Sequence, residues 1–105
     1  MNPARVDRVF TALADRTRRD LYRAVVAVGP STATQLAAER SITRQAVAKH
    51  LAVLSEAGLV HSRRSGREVL YTADADPLVD ATDWIDATRV AWDRRLVRLR
   101  DLLER

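Results

Sequence analysis

Apolar residues recur at helical spacing through the first half of the chain, and capping residues separate the runs. Between Pro3 and Ala14, apolar side chains at positions i, i+3, i+4 and i+7 mark one face of a helix. Asp15, Thr32 and Thr43 each stand where the first turn of a further helix needs a side-chain acceptor. Gly29 follows the second apolar run, where a left-handed residue often ends a helix. The pattern predicts four helices before residue 58.

The spacing of apolar residues shortens from helical to alternating after Gly58. Residues 59–64 and 67–72 form short runs on either side of Ser65-Gly66, which is typical of a β-hairpin with glycine at its tip. Gly58 itself is predicted to take the left-handed conformation after the fourth helix, with the next residue as its hydrophobic contact.

Helical spacing returns from Pro77 to Leu103, which corresponds to about 40 Å of helix. Apolar residues there alternate steps of four and three, as in a coiled-coil seam. The predicted order is α-α-α-α-β-β-α, and the predicted fold class is mainly α with a β-hairpin (α+β). We interpret residues 1–105 as a single winged helix-turn-helix domain, with the helix-turn-helix at 32–57 and the wing at 59–72.

The composition excludes several classes of function. The chain has 105 residues, 47% hydrophobic and 30% charged, which is typical of a folded soluble domain. It has no cysteine, so disulfides, thiolate metal sites and cysteine nucleophiles are excluded. No glycine-rich phosphate loop and no nucleophile beside a base is evident, so an enzyme is not predicted.

The ends and the uncharged stretches of the chain predict no membrane association. The longest uncharged stretch, 24–38, is interrupted by Gly29-Pro30, so we expect no membrane-spanning helix. Charged residues near the N-terminus stand where a signal peptide needs an apolar core. The expected location is the cytoplasm.

Charge is distributed unevenly along the chain. Residues 1–72 contain twelve basic and six acidic residues, a net charge of +6. Residues 73–105 contain six arginines and eight acidic residues, a net charge of −2. A basic first part indicates an anionic partner for that part only.

The fourth helix combines an apolar face with a polar face. Val47, Leu51 and Leu54 are predicted to point inward. A helix that is anchored on one side and polar or small on the other can enter the major groove of DNA, where Arg or Lys reads guanine and Gln reads adenine. The candidate DNA-binding residues of this helix are Thr43, Arg44, Gln45, Ala48, Lys49 and His50. An ordinary exposed helix face is the alternative interpretation.

Arginines surround the predicted hairpin tip. Arg63, Arg64 and Arg67 flank Ser65-Gly66. Three like charges on a tight turn repel one another and add nothing evident to folding, but they suit contact with phosphates or a narrow minor groove. A solvated loop is the alternative interpretation. Arg16, Arg18 and Arg19, at the start of the second helix, are candidates for further phosphate contacts. Internal pairing of one of them with Asp15, Asp20 or Glu56 is the alternative.

At this point the sequence resembles a known family. Three runs carry the resemblance: residues 12–19, residues 33–38 and residues 41–60, with a core of the form His-Leu-x-x-Leu-x-x-x-Gly-Leu-Val beginning at His50. These runs are similar to the ArsR/SmtB family of bacterial transcription regulators. The resemblance implies a homodimeric winged-helix repressor that binds an inverted-repeat operator of double-stranded DNA, often in its own promoter. It also implies that the first and last helices form the dimer interface.

The residues agree with dimerisation. A helix of about 40 Å is too long for a core of this size to cover both of its faces. The dimerisation helices are predicted at 1–14 and 77–105. Their candidate interface residues are Val6, Val9, Phe10, Leu13, Ile85, Trp92, Leu96 and Leu99. Packing of both helices within one chain is the alternative.

Metal-sensing patterns of the family are not found. The third helix has no thiol, the last helix has no histidine, and His50 and His61 are too few for a site. We expect no metal and no cofactor, and we leave the effector open. Asp74, Asp76, Asp80, Asp83 and Asp86 suggest a hard-cation site, although acids are also expected at a helix N-terminus. A winged helix that binds only proteins is the alternative function.

Overall fold

The computed structural model describes residues 2–105. Their elements follow the predicted order of four helices, two strands and a long last helix. The elements are α1 (Pro3–Leu13), α2 (Arg16–Val28), α3 (Ala33–Ala38), α4 (Arg44–Glu56), β1 (Val60–Ser65), β2 (Glu68–Ala73) and α5 (Asp76–Leu103).

The predicted helix caps are confirmed. The Asp15 side chain accepts a hydrogen bond from the backbone N–H of Arg18 at the start of α2. The Thr43 side chain accepts a hydrogen bond from the backbone N–H of Ala46 at the start of α4. At α3, Thr32 and Gln35 satisfy each other's backbone N–H groups in a reciprocal capping box.

Gly58 ends α4 as predicted, with a φ of +76°. The N–H of Leu59 donates to Leu54 O and the N–H of Gly58 donates to Ser55 O, at 3.0 and 2.9 Å. These are the two hydrogen bonds of a Schellman motif. Leu59 is fully buried beside it, so the chain enters the hairpin directly from the core.

The hairpin turn is one residue later than predicted. Ser65 pairs with Glu68, which leaves Gly66 and Arg67 as a two-residue loop. Gly66 has a φ of +63° at the first loop position, as a type II′ turn requires. Arg67 therefore belongs to the turn itself.

A bridge that the sequence did not indicate attaches the hairpin to the helices. Ser31 and Tyr71 exchange both of their backbone hydrogen bonds, at 3.1 and 2.8 Å. Because Ser31 directly precedes the cap of α3, the bridge holds β2 beside the helix-turn-helix.

The core lies around α4. Its inward residues, Val47, Leu51 and Leu54, have no exposed surface, and they pack with buried side chains of α2, α3 and β1. At up to about 3 kcal/mol for a fully buried aliphatic side chain, these three contacts strongly anchor the helix. The outward face of α4 is thereby fixed in direction.

The first helix packs inside its own chain, which corrects part of the predicted dimer interface. Val6 and Val9 are buried, and Leu13 packs half-buried against the core. An ion pair from Arg5 to Asp80 (3.0 Å) helps to hold α1 against α5. These three apolar residues are therefore core residues, because α1 packs against α5, α2 and α4 of its own chain.

The second half of α5 extends away from the rest of the molecule. Every residue from 89 to 105 is exposed, and the longest dimension is 70 Å against 26 and 21 Å. Ile85, Trp92, Leu96 and Leu99 are each 47–58% exposed. None of the helices in residues 2–105 has the length and apolar composition needed to cross a membrane.

Candidate nucleic-acid interface

The outer face of α4 and the hairpin border the same open groove, which has a volume of about 440 Å³. Arg44 and Ala48 of α4 lie on one side and Arg67 lies on the other. The Ser31–Tyr71 bridge and the Schellman turn at Gly58 fix the position of the hairpin relative to α4. The remaining lining residues are Thr32, Ala33, Thr34, Gln35, Glu68, Val69 and Tyr71.

The outward face of α4 has the composition predicted for it. Arg44, Gln45 and Lys49 are exposed, and Ala48 is half-buried at the groove wall. A methyl group at this position leaves the backbone of α4 accessible to close approach. The helix can present base-reading donors to a major groove without moving its core face.

Thr43 and His50 have structural contacts beside their predicted role. The Thr43 hydroxyl oxygen accepts from Ala46 N at 3.1 Å, while the hydroxyl proton remains a donor. His50 is half-buried on the α2 side of α4, near Asp15. The Arg18 backbone hydrogen bond is the main cause of the lowered pKa of Asp15, and the charges of Arg18 and His50 add to it.

The arginines of the wing do not all face the same way. Successive residues of a strand alternate between faces, and cross-strand partners share one. Arg64 pairs with Val69, which lines the groove, whereas Arg63 pairs with Leu70 on the opposite face. Within residues 2–105, no carboxylate lies within 4 Å of Arg63, Arg64 or Arg67. The wing tip is therefore a cluster of uncompensated positive charge.

Arg18 and Arg19 do not line this groove, and their guanidinium groups donate hydrogen bonds within the chain. Arg18 Nε donates to Ala12 O at 2.8 Å and Nη2 donates to Thr11 O at 3.0 Å. Arg19 Nη1 donates to Leu13 O at 2.6 Å. The two guanidinium groups satisfy the last carbonyls of α1, which has no basic residue in its own last turn.

Some groove residues were missed from the sequence. Thr32, Thr34 and Gln35 bring the start of α3 to the groove, and Tyr71 brings β2. The capping box at Thr32 was a signal for a helix start, but its place in the groove depends on the packing of α3 against α4.

Two of the acidic residues near the start of α5, Asp74 and Asp80, are engaged in the fold. Asp74 Oδ2 lies 2.8 Å from His61 Nε2, and Asp74 Oδ1 accepts from the backbone N–H of Asp76 at 2.9 Å. The hydrogen bonds from Asp76 and His61 hold the pKa of Asp74 below its usual value. Asp80 pairs with Arg5. In the described part of the chain, no three acidic or histidine side chains are grouped to hold a metal ion. The suggested cation site therefore has no support.

Comparison with known sequences points to transcription regulators. Residues 13–63 match a family described as a helix-turn-helix domain. The HTH-type transcriptional regulator YuzN of Bacillus subtilis is 38% identical over 87 residues, covering 76% of this chain and 95% of YuzN. The transcriptional repressor SdpR of Bacillus subtilis is 28% identical over 80 residues, covering 76% of this chain and 88% of SdpR.

Solved structures share the fold. An ArsR-like transcriptional regulator from Rhodococcus superposes with a TM-score of 0.83 at 34% identity, covering 94% of this chain and 92% of that chain. The homodimeric winged helix-turn-helix DNA-binding domain of Mb0332 from Mycobacterium bovis superposes with a TM-score of 0.64 at 25% identity, covering 89% of this chain and 82% of that chain. The predicted fold class is confirmed, and the relatives are regulators rather than enzymes. The chain belongs to the ArsR family of winged helix-turn-helix transcription regulators.

Proposed function

We propose that this protein is a homodimeric repressor that binds an inverted-repeat operator in double-stranded DNA. The observation that carries the proposal is the groove between the outer face of α4 and the arginine-bearing hairpin. The buried core face of α4 holds one basic wall of the groove in place, and the backbone bridge from Ser31 to Tyr71 holds the hairpin, which is the other wall. Such a rigid pair can hold a helix in the major groove while a wing contacts the backbone.

Each basic residue has a distinct role in this proposal. Gln45 and Lys49, on the outward side of α4, read base edges, and Arg44 reads bases from the groove side. Arg64 and Arg67 neutralise phosphates or enter the minor groove on the groove side of the wing. Arg63 serves the opposite face of the same wing. Thr43 and His50 contribute phosphate contacts at the two edges of α4.

The second copy covers the exposed apolar surface of α1 and α5. Ile85, Trp92, Leu96 and Leu99 form one stripe on α5. Phe10, which is 38% exposed, adds apolar surface on α1, where its ring packs edge to face against Trp84 of α5. A stripe of this kind on a helix that leaves its own core is buried by a twofold partner. The homodimeric domain of Mb0332 supports the same assembly. Two groove units would then read half-sites about one helical turn apart, roughly 34–36 Å.

Repression follows from occupancy of the promoter. A dimer that covers two half-sites excludes other proteins from the same DNA, and the related SdpR is a repressor. We place this activity in the cytoplasm, where the chromosome of a bacterium lies. Control of its own promoter is part of the proposal.

DNA binding is tested with the upstream region of the encoding gene. Footprinting defines the protected site, and fluorescence anisotropy on that site gives the affinity as a function of salt. We expect the logarithm of the affinity to fall linearly with the logarithm of salt, with a slope near −0.9 for each neutralised phosphate. A flat salt dependence, or no protection, contradicts the proposal.

Two substitutions separate base reading from phosphate contact. Lys49→Ala is expected to reduce the preference for the operator over random DNA by about 10-fold or more, since one good base contact is worth about 1–3 kcal/mol. Arg64→Ala is expected to weaken binding to both DNAs alike and to make the salt slope less steep. If both variants bind the operator and random DNA with the affinities of the wild-type protein, this groove does not bind DNA.

The alternative of a protein-only module makes the opposite prediction. It expects no footprint at any salt concentration and a stable complex with another polypeptide. An unpaired cluster of arginines at the wing tip opposes it, because the cores of protein interfaces are depleted of like charge and enriched in aromatic residues.

A further inference from the structure

We propose that α2 carries a second anion-binding surface, the α2 patch, which contacts phosphates of the operator backbone outside the groove. The inference rests on the proposed DNA binding and extends it to a surface that shares no residue with the groove. The patch is formed by Arg16, Arg19, Asp20, Arg23 and Arg40. Four arginines and one aspartate give it a net charge of +3.

The α2 patch is a shaped surface. Its residues line an open depression of about 540 Å³ along the exposed side of α2. Arg40, only 17% exposed, is held in place because its Nε donates to Asp20 Oδ2 at 2.8 Å and its Nη1 donates to Leu36 O at 2.9 Å. Asp20 is thereby neutralised by a fixed partner.

Two arginines of the patch remain uncompensated. Within residues 2–105, neither Arg16 nor Arg23 has a carboxylate within 4 Å, and both are exposed. They lie seven residues apart on one helix face, which is about 10 Å. One strand of B-DNA presents a phosphate about every 3.4 Å along its axis, so this span corresponds to about three phosphates. Arg19 donates to Leu13 O through Nη1 and adds its charge to the same surface.

The position of the patch favours DNA over a small phosphorylated ligand. Arg16, Asp20 and Arg40 also line a smaller depression with Ile42, which lies two residues before Arg44. The patch therefore begins beside the N-terminal end of α4 and runs away from it along α2. An elongated, open surface that continues from the base-reading helix suits a polymeric backbone, whereas a small ligand usually needs an enclosed site.

The test uses the full-length protein and the footprinted operator. The double variant Arg16→Gln/Arg23→Gln removes two positive charges from the patch in each protomer. The matched control Arg94→Gln/Arg98→Gln removes two exposed charges from α5, on the side away from the apolar stripe. Circular dichroism verifies that both variants fold. Affinity is measured against salt, and ethylation interference maps the phosphates that each protein contacts.

The expected result is a local loss of phosphate contacts. The salt slope of the α2 variant becomes less steep by about 0.9 for each lost phosphate, up to about 3.6 for a dimer that loses four. Its preference for the operator over random DNA is unchanged, and wild-type interference sites that Arg64→Gln leaves intact disappear. The control keeps the wild-type slope and interference pattern.

Other outcomes overturn the inference. An unchanged slope for the α2 variant, with Lys49→Ala still impaired, rejects the patch and leaves the proposed function intact. An equal change of the salt slope in the control variant would show a long-range effect of net charge instead of a contact at the patch. Saturable binding of inorganic pyrophosphate that the α2 variant loses, without any change in the DNA slope, assigns the patch to a small ligand. Failure of the wild-type protein to bind any DNA rejects the proposed function itself.

Discussion

Replacing Trp92 by alanine tests the proposed dimer most directly. Trp92 is 55% exposed, and its ring contacts the guanidinium group of Arg95 on the same helix, with 5.3 Å between that group and the ring centroid. A tryptophan side chain has an area of up to about 250 Å², so on the order of 140 Å² is available to a partner. At about 25 cal/mol per Å², full coverage is worth roughly 3.5 kcal/mol for each protomer and about 7 kcal/mol for the symmetric pair.

Half of that coverage is a realistic lower value. It corresponds to about 3.5 kcal/mol for the pair, or about a 300-fold increase in the dimer dissociation constant, since each 1.4 kcal/mol is about tenfold. Sedimentation velocity over a range of concentrations measures this shift. The melting temperature at high dilution, where both proteins are monomeric, should hardly change, because residues 89–105 lie outside the core.

Val28→Ala is the matched control for loss of apolar surface. Val28 is 75% exposed at the end of α2, outside the stripe on α5. It is expected to keep the dissociation constant of the wild-type protein. A dimer that Trp92→Ala leaves intact, or a wild-type protein that is monomeric at micromolar concentration, would refute the reasoning from the exposed stripe.

Two further predictions concern stability. Arg18→Gln removes two hydrogen bonds to carbonyls of α1 and should lower the free energy of unfolding by about 2 kcal/mol in urea titrations, while Arg8→Gln, exposed on α1, should have little effect. A changed salt slope of DNA binding with unchanged stability would instead return Arg18 to the phosphate contacts. The lowered pKa of Asp74 means that its ionised form stabilises the fold above about pH 4, the usual pKa of a free aspartate, and that this contribution is lost as the pH falls through the folded-state pKa. Melting temperatures measured from about pH 7 down to about pH 2 should therefore fall less steeply for Asp74→Asn than for the wild-type protein. Parallel curves for the two proteins would contradict the role given to Asp74.

Features that depend on neighbouring residues were predictable from the sequence. The caps at Asp15, Thr32 and Thr43 and the end of α4 at Gly58 are confirmed. Each is formed by hydrogen bonds that span at most five residues, so the residue type and its immediate neighbours are sufficient. The hairpin was predictable for the same reason, and its turn moved by one residue because the pairing of Ser65 with Glu68 decides which residues remain unpaired.

The amphipathic pattern determined which face of α4 is buried and which residues it presents. It did not determine which partners the apolar residues of α1 and the arginines at the start of α2 contact. Val6 and Val9 fit either a dimer interface or a core, and the packing of α1 on α5 chose the core. Arg18 fits either phosphates or carbonyls, and its guanidinium group donates to two carbonyls at the end of α1.

Only the tertiary structure decided which surfaces lie together. The groove joins residues of α3, α4 and the hairpin, and the α2 patch joins Arg16 and Arg23 with Arg40 from the turn after α3. Such juxtapositions depend on backbone pairing and core contacts between distant segments, such as the bridge from Ser31 to Tyr71. Their energy comes from excluding water from many apolar side chains at once, and no local pattern of residues records which of those side chains will meet.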